Sequence, residues 1–491
     1  MSMRRPLRAA LTVVAIASFV MAGFATYAAI AYMRALDDTT GELPFDTPLR
    51  VPPLHTGRVD ADGVRVVDLE LRTGTSQLLP GVETPTWGVN GGHLGPTVRA
   101  RRGETVRMEV TNRLPETTTL HWHGMSLPAV ADGGPHAPIR PGATWSPTWV
   151  IDQPAASLWY HPHPHGRTTE HVQRGVVGMF IVDDDVADAL ALPDTYGVDD
   201  VPVIVQDVRV DSGGTLDLGS PMFSSLGPLG DQLLVNGTHA PYFDVTTTIV
   251  RLRLLNASPG RIHDFGFDDD RSFDLIATDG GLLDAPYVLD RILLSPGERA
   301  EIVVAVAPGE STVLRSTPPR LGIGGFEARF SGLHDRFDVL ELRAASELAA
   351  SAPVPERLVE WDAPDPGDSV GTHVFALQGR SRINGRPMDM DRIDHVARVG
   401  TTEIWEVRND SGTIHNIHVH EVQFRVLDID GASPPPELRG PKDTVLLPPR
   451  SSARLVLRFG EHADPSTPYM VHCHILRHED DGMMAQFTVV E

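Results

Sequence analysis

Thr105-Val106-Arg107-Met108-Glu109-Val110 alternates polar and apolar side chains at every step. A period of two is the mark of a half-buried strand. This run sits inside a stretch that occurs three times. The first copy opens at Asn90-Gly91, passes Pro96, Val98, Gly103 and Val106, and closes at Asn112. The second opens at Asn236-Gly237, passes Pro241, Val245, Val250 and Leu252, and closes at Asn256. The third opens at Asn384-Gly385, passes Pro387, Val399, Gly400, Ile404 and Val407, and closes at Asn409. Turn-rich, all-β units spaced by roughly 150 residues predict Greek-key β-sandwiches. We place three of them at 40–185, 195–345 and 355–491, divided by the charged stretch from Asp183 to Asp194 and the Ala-, Ser- and Pro-rich stretch from Ala344 to Pro355.

Bulk composition agrees. A chain of 491 residues predicts about three domains at ~150 residues each. Its 41 prolines and 45 glycines follow no fixed period, which suits a β-protein with many turns. A formal charge of -23 excludes nucleic acid as a partner and favours solubility. The single cysteine excludes an intrachain disulfide, so stability has to come from burial.

The first 36 residues stand apart from these units. Arg4, Arg5 and Arg8 precede an uncharged run from Ala9 to Met33. As a helix this run spans roughly 37 Å, enough for a hydrocarbon layer of ~30 Å. Its charge asymmetry puts the N-terminus in the cytoplasm and the rest outside. The length favours a retained membrane anchor, and Ala29-Ile30-Ala31 offers a small-residue cleavage site if it is instead a signal. Both readings place the folded part at the periplasmic or extracellular face.

Ten histidines and the cysteine form four clusters: His121-Trp122-His123, His161-Pro162-His163, His415-Asn416-Ile417-His418-Val419-His420, and His472-Cys473-His474 followed by His478 and Met483. Side chains at i and i+2 of a strand share a face, so each His-x-His aims two imidazoles at one point. Cys473 must then face the opposite way from His472 and His474, toward a second site. The clusters follow the closing Asn in copies one and three and recur near the ends of both copies. At the equivalent place copy two has only His263. We therefore expect a metal centre between domains one and three, with domain two a spacer without copper. His93, His136, His165 and His171 are expected to be exposed or to support the ligands.

Imidazole, thiolate and thioether ligands select copper, whereas structural zinc favours a tetrahedral, more thiolate-rich set. His415, Cys473, His478 and Met483 make two imidazoles, one thiolate and one distant thioether, the set of a blue copper centre. Asp132, before Gly133-Gly134, and Glu479, directly after His478, are carboxylates close to ligands. Reducing oxygen consumes protons, and such groups can deliver them. A turn-forming Asp and a solvated surface Glu are the plain alternatives. The loop Ser433-Pro434-Pro435-Pro436-Glu437 is expected to border the substrate site.

Taken together these motifs resemble the multicopper oxidases, which include laccases and bacterial cuprous oxidases. The resemblance covers essentially the whole exported chain. It implies three cupredoxin-like domains and four coppers. His121 and His418 would bind the type 2 ion; His123, His161 and His474 one type 3 ion; His163, His420 and His472 the other. His415, Cys473, His478 and Met483 would make the type 1 site, and Asp132 and Glu479 would belong to the proton path. The partners implied are dioxygen and a phenolic, aromatic or cuprous reductant, acted on by a monomer. Two departures stand out. Asn416 replaces a proline common in relatives, and the methionine-rich insertion of copper-efflux members is absent before the third copy's ligands. A non-catalytic scaffold or copper-homeostasis protein on the same fold is the alternative.

Overall fold

The computed structural model describes residues 4–221 and 223–491. Residues 1–3 of the N-terminal segment and the side chains of residues 4–9, Arg4, Arg5 and Arg8 among them, fall outside the described set. The fold is mostly β, with 45% strand and 11% helix, and cupredoxin-like. Among the described residues, α1 (Arg4–Arg34) is the one long helix; its apolar span, Ala10–Arg34, is largely exposed and meets the folded body only near its C-terminal end.

The repeat has a physical meaning. Its opening asparagines, Asn90, Asn236 and Asn384, all adopt left-handed backbone with φ of 57°, 50° and 52°, a conformation Asn tolerates better than most residues. Each side-chain amide then acts as an extra ladder rung on the preceding strand. Asn236 accepts from Ile204 N at 2.9 Å and donates to Pro202 O at 2.8 Å, and Asn90 and Asn384 bond the same way. The closing asparagines fasten the loop that follows. Asn112 holds Leu114 N and Glu116 O, Asn256 holds Ser258 N and Arg261 O, and Asn409 holds Ser411 N and Thr413 O. In copies one and three that loop leads straight into a histidine strand.

Six sheets make three sandwiches, with six and five strands in the first, seven and six in the second, and five and five in the third. The strand Thr105–Asn112 alternates half-buried and buried residues, as its sequence predicts. Between the sheets lie Val67, Trp122 and Phe180 in the first core, Val203, Leu252 and Phe265 in the second, and Phe375, Trp405 and Leu455 in the third. Each large apolar side chain buried there contributes about 1.5–3 kcal/mol. Thr47–Pro48 pairs with Pro241-Tyr242 and so extends the second sandwich.

The elements that carry the site are β1 (His121–His123), β2 (Ala156–His161), α2 (Thr168–Gln173), β3 (His415–Val419), β4 (Thr444–Leu447), β5 (Asp464–His472) and α4 (Leu476–Asp480). Antiparallel register sets His121 opposite His161 and His418 opposite His472. Helices α2 and α4 clasp the first sandwich to the third: Thr168 and Thr169 donate backbone N–H bonds to Asp480 at 2.8 and 3.0 Å.

Candidate metal centre

Eight imidazoles meet where the first and third sandwiches touch: His121, His123, His161 and His163 from one side, His418, His420, His472 and His474 from the other. All eight are buried. Which ring nitrogen faces inward follows from what the other one does. A carbonyl oxygen only accepts, so a ring nitrogen bonded to one carries the proton and leaves the second nitrogen bare. His121 Nδ1 donates to Asp132 O at 2.9 Å, His161 Nδ1 to Pro162 O at 2.9 Å, His418 Nδ1 to Asp443 O at 2.9 Å and His472 Nδ1 to Cys473 O at 3.2 Å. Their Nε2 atoms are therefore free lone pairs. His123 is reversed. Its Nε2 donates to Asp443 Oδ1 at 3.1 Å, and its Nδ1 has no partner.

Several of these nitrogens face one another. His163 Nε2 lies 3.2 Å and His420 Nε2 3.3 Å from His472 Nε2, and His161 Nε2 lies 3.4 Å from His474 Nε2. Two lone pairs at that distance repel unless a cation sits between them. Ligand nitrogens ~2.0 Å from one tetrahedral ion stand about 3.3 Å apart. Buried His121 Nε2, His418 Nε2 and His123 Nδ1 have no hydrogen-bond partner at all. In the second sandwich His263 differs: its nitrogens are satisfied by Ser316 at 2.9 Å and Ser258 at 3.2 Å, the ordinary fate of a core histidine. The eight-histidine seam fits metal ions; His263 does not.

Cys473 points away from its two neighbours into a separate pocket. Its Sγ lies 3.6 Å from both His415 Nδ1 and His478 Nδ1, which are 3.1 Å apart. His478 Nε2 donates to Ser225 O at 2.7 Å, and His415 Nε2 is held by Ser411 Oγ at 2.9 Å, so both Nδ1 atoms are presented to the pocket. Burial pushes the Cys473 thiol up to about 12 and the His478 imidazole down to about 4, so the metal-free pocket is neutral and a bound cation displaces the thiol proton. Met483 is buried in the same core, its carbonyl accepting from Cys473 N at 3.1 Å. Two imidazoles and a thiol, with Met483 packed into the same core, fit copper better than zinc.

Both carboxylates singled out from sequence lie buried against ligand rings. Asp132 Oδ2 accepts from His420 Nδ1 at 2.9 Å, and Oδ1 lies 3.4 Å from His121 Nδ1. It also makes the turn: a Cβ on Gly133 (φ 78°) would strike Leu120 O. Glu479 is buried, not a solvated charge, with Oε1 3.2 Å from His163 Nδ1 and Oε2 3.3 Å from His472 Nδ1. Burial alone would raise its pKa, but His163 and His472 hold it down at about 2.

Of the remaining histidines, His165 is exposed and His93 half-buried. His136 bonds Gln486 at 2.8 Å, and buried His171 is satisfied by Thr118 and Glu116. The Ser433–Glu437 loop, expected to border the substrate site, does not line the cleft beside His415 and His478. The cleft over His415 and His478 is formed by Phe223, Ser224, Ser225, Arg380, Ser411 and Thr413, with Gly379 and Gly412.

Sequence reasoning missed Asp443, Arg299 and the work of Asn416. Arg299, from the second sandwich, pairs with Asp443, which orients both His123 and His418. Asn416 Nδ2 donates to Ser295 Oγ at 3.0 Å and Pro296 O at 2.8 Å, while Oδ1 accepts from His474 N at 2.7 Å. The second sandwich, expected as a spacer, thus steadies both pockets. The one hint in the sequence is that Lys442-Asp443 opens an apolar run.

The family models described as multicopper oxidase match residues 70–187 and 361–491, the two regions that supply the ligands. The chain belongs to the multicopper oxidase family. A multicopper oxidase of Staphylococcus haemolyticus is 32% identical over 89% of this chain and 91% of its own. The cell division protein FtsP of Salmonella typhimurium is 36% identical over 90% and 92%. Among solved structures, a bacterial laccase-like multicopper oxidase, CueO, from Ochrobactrum sp. superposes with TM-score 0.82 at 37% identity, covering 90% of this chain and 100% of that one. A laccase from Pediococcus acidilactici superposes with TM-score 0.83 at 34% identity, covering 93% and 95%. The multicopper oxidase fold therefore extends across all three sandwiches.

Proposed function

We propose that this multicopper oxidase is an active enzyme that takes single electrons from a phenolic, aromatic or cuprous reductant and reduces dioxygen to water. The observation that carries the reading is the inward convergence of bare nitrogens from eight buried histidines, one peptide step from a cysteine in a second pocket. In the proposed assignment His415, Cys473, His478 and Met483 hold a type 1 copper and His121 with His418 a type 2 copper. His123, His161 and His474 hold one type 3 copper, and His163, His420 and His472 the other. Bound there, the four ions would supply one-electron oxidation at the outer pocket and four-electron reduction of dioxygen at the inner one.

The residues of the chain do the rest. Cys473 is covalently continuous with His472 and His474, so the backbone itself is the electron path between pockets. Asp132 fixes the tautomers of His420 and His121, and Glu479 lies against the Nδ1 atoms of His163 and His472. Both carboxylates lie buried against those rings, where each can relay protons inward. Export fits the N-terminal helix, which serves as signal or anchor, and the chain acts as a monomer.

The relatives named cell division protein FtsP favour a second reading, a non-catalytic exported scaffold or copper-homeostasis protein on this fold. Oxygen uptake by copper-loaded protein, measured with a phenol and with cuprous ion, separates the two. The oxidase reading expects uptake with at least one donor, and loss of both uptake and the blue absorption in Cys473→Ser. Fully copper-loaded protein that consumes no oxygen with either donor leaves the scaffold reading standing.

A further inference from the structure

A chain of aromatic contacts links the end of the apolar helix to the cleft beside His415 and His478. In the last turn of α1 the Tyr32 ring sits 6.4 Å from Phe326 and 6.2 Å from Phe330, both on α3 (Gly325–Phe330) of the second sandwich. Arg329 lies 5.2 Å over the Tyr32 ring, and its Nε donates to Tyr32 O at 3.0 Å, capping a carbonyl that the helix end leaves open. The chain beyond is held down as well. Asp37 N donates to Asp335 Oδ1 at 3.1 Å, Arg336 N to Asp37 O at 3.0 Å, and Thr39 N to Arg336 O at 3.0 Å. The helix therefore leaves the folded body at a set place and angle.

That place adjoins the electron-entry cleft. Phe223 lies 5.2 Å from both Phe326 and Phe330 and forms the edge of a cleft of about 500 Å³. Within the same cleft lining, Ser225 O touches His478, and Ser411 and Thr413 touch His415. Phe326 is 49% and Phe223 37% exposed, beside Met33 at 67%. Large apolar rings left open to water at the end of a membrane-length helix belong at the headgroup level, where aromatic side chains concentrate.

We propose that the cleft takes its electrons from the bilayer, from a lipophilic hydroquinone whose tail stays in the membrane beside Phe326. The ring would rest on Phe223 with its hydroxyls toward Ser225, Ser411 and Thr413. The inference deepens the oxidase reading and rests on it. Arg380 on the cleft wall repels a cuprous ion, whereas an aromatic edge and hydroxyl lining suit a ring bearing two hydroxyls. The stoichiometry closes. Each hydroquinone breaks two O–H bonds and yields two electrons and two protons. Two of them supply the four electrons and four protons that turn one dioxygen into two waters.

The test uses the full chain, shown by intact mass to retain α1, in phosphatidylcholine vesicles with a photoactivatable decyl-tailed quinone. Label is expected on the segments containing Phe223 and Phe326, in metal-free and copper-loaded protein alike. Phe326→Asp should cut labelling and raise KM for decyl hydroquinone by about tenfold with kcat retained. Phe326→Leu, which keeps the apolar surface, should keep both. Val288→Asp, at an exposed apolar position outside the patch, should change neither. Labelling and KM indifferent to Phe326→Asp, while a water-soluble hydroquinone still drives oxygen uptake, overturn the inference and leave the oxidase reading intact. Absence of uptake with every donor overturns the oxidase reading instead, and labelling of the metal-free chain still decides whether the patch holds the quinone.

Discussion

Arg299 and Asp443, from different sandwiches, face each other with no exposed surface, Nη1 donating to Oδ1 at 2.8 Å and Nη2 to Oδ2 at 2.6 Å. The same Oδ1 receives the His123 Nε2–H, so an arginine of the second sandwich decides which nitrogen of His123 is left bare. Removing one partner of a buried pair strands the other charge and costs about 3–5 kcal/mol. Arg299→Met should lower stability by about that amount and reduce the copper bound per chain. Denaturant unfolding and metal analysis check both; a variant with wild-type stability and copper content removes Asp443 from any orienting role.

Glu479 spans two rings of the same proposed type 3 copper, His163 and His472. Glu479→Gln keeps the shape but removes the charge and the proton-carrying oxygen. If protons reach oxygen by this route, kcat should fall by about 10²–10⁴. Blue absorption and copper content should stay near wild type. Steady-state oxygen uptake together with the visible spectrum makes the comparison, and an unchanged kcat assigns Glu479 to ring orientation alone.

Met483 is buried in the same core as Cys473, and its N–H donates to His478 O at 2.8 Å, so its position is set by the ligand loop itself. A weak axial thioether moderates the potential of a type 1 copper. Met483→Leu keeps the volume and removes the sulfur, so the potential should rise. A redox titration of the blue band measures it, and an unmoved midpoint rejects Met483 as a ligand.

Glu421 is buried directly after His420. Its Oε1 accepts from Gly460 N at 3.2 Å, and Oε2 has no partner. Burial raises its pKa from 4.5 to about 8. The folded state thus holds this proton more tightly than the unfolded one. Its contribution is complete below about pH 4.5 and is lost as pH climbs through about 8. At about 1.4 kcal/mol per pKa unit the loss reaches several kcal/mol. Glu421→Gln, permanently neutral, should flatten the decline. Denaturant midpoints of metal-free protein at low and high pH give the answer, and parallel slopes in variant and wild type refute it.

The sequence by itself determined what depends on short-range pattern. Alternation in Thr105–Asn112 identified strands, the three Asn-Gly openings identified a repeated sandwich, and His-x-His with Cys473 between two histidines identified two back-to-back sites. These could be read because the two-residue period of a strand ties neighbours in sequence to one face. For several rings, which nitrogen turns inward was decided only by the tertiary structure, since that follows from partners far along the chain. Examples are Asp132 with His420, Asp443 with His123, and Ser225 with His478. Glu479 stood out in sequence only by following His478, and Lys442-Asp443 not at all; only the meeting of distant sandwiches shows how they are buried. The docking of α1 beside Phe223 and the place of the Ser433–Glu437 loop belong to the same class. A contact between residues hundreds apart leaves no periodic trace in either stretch, because what selects it is the fit of two finished surfaces.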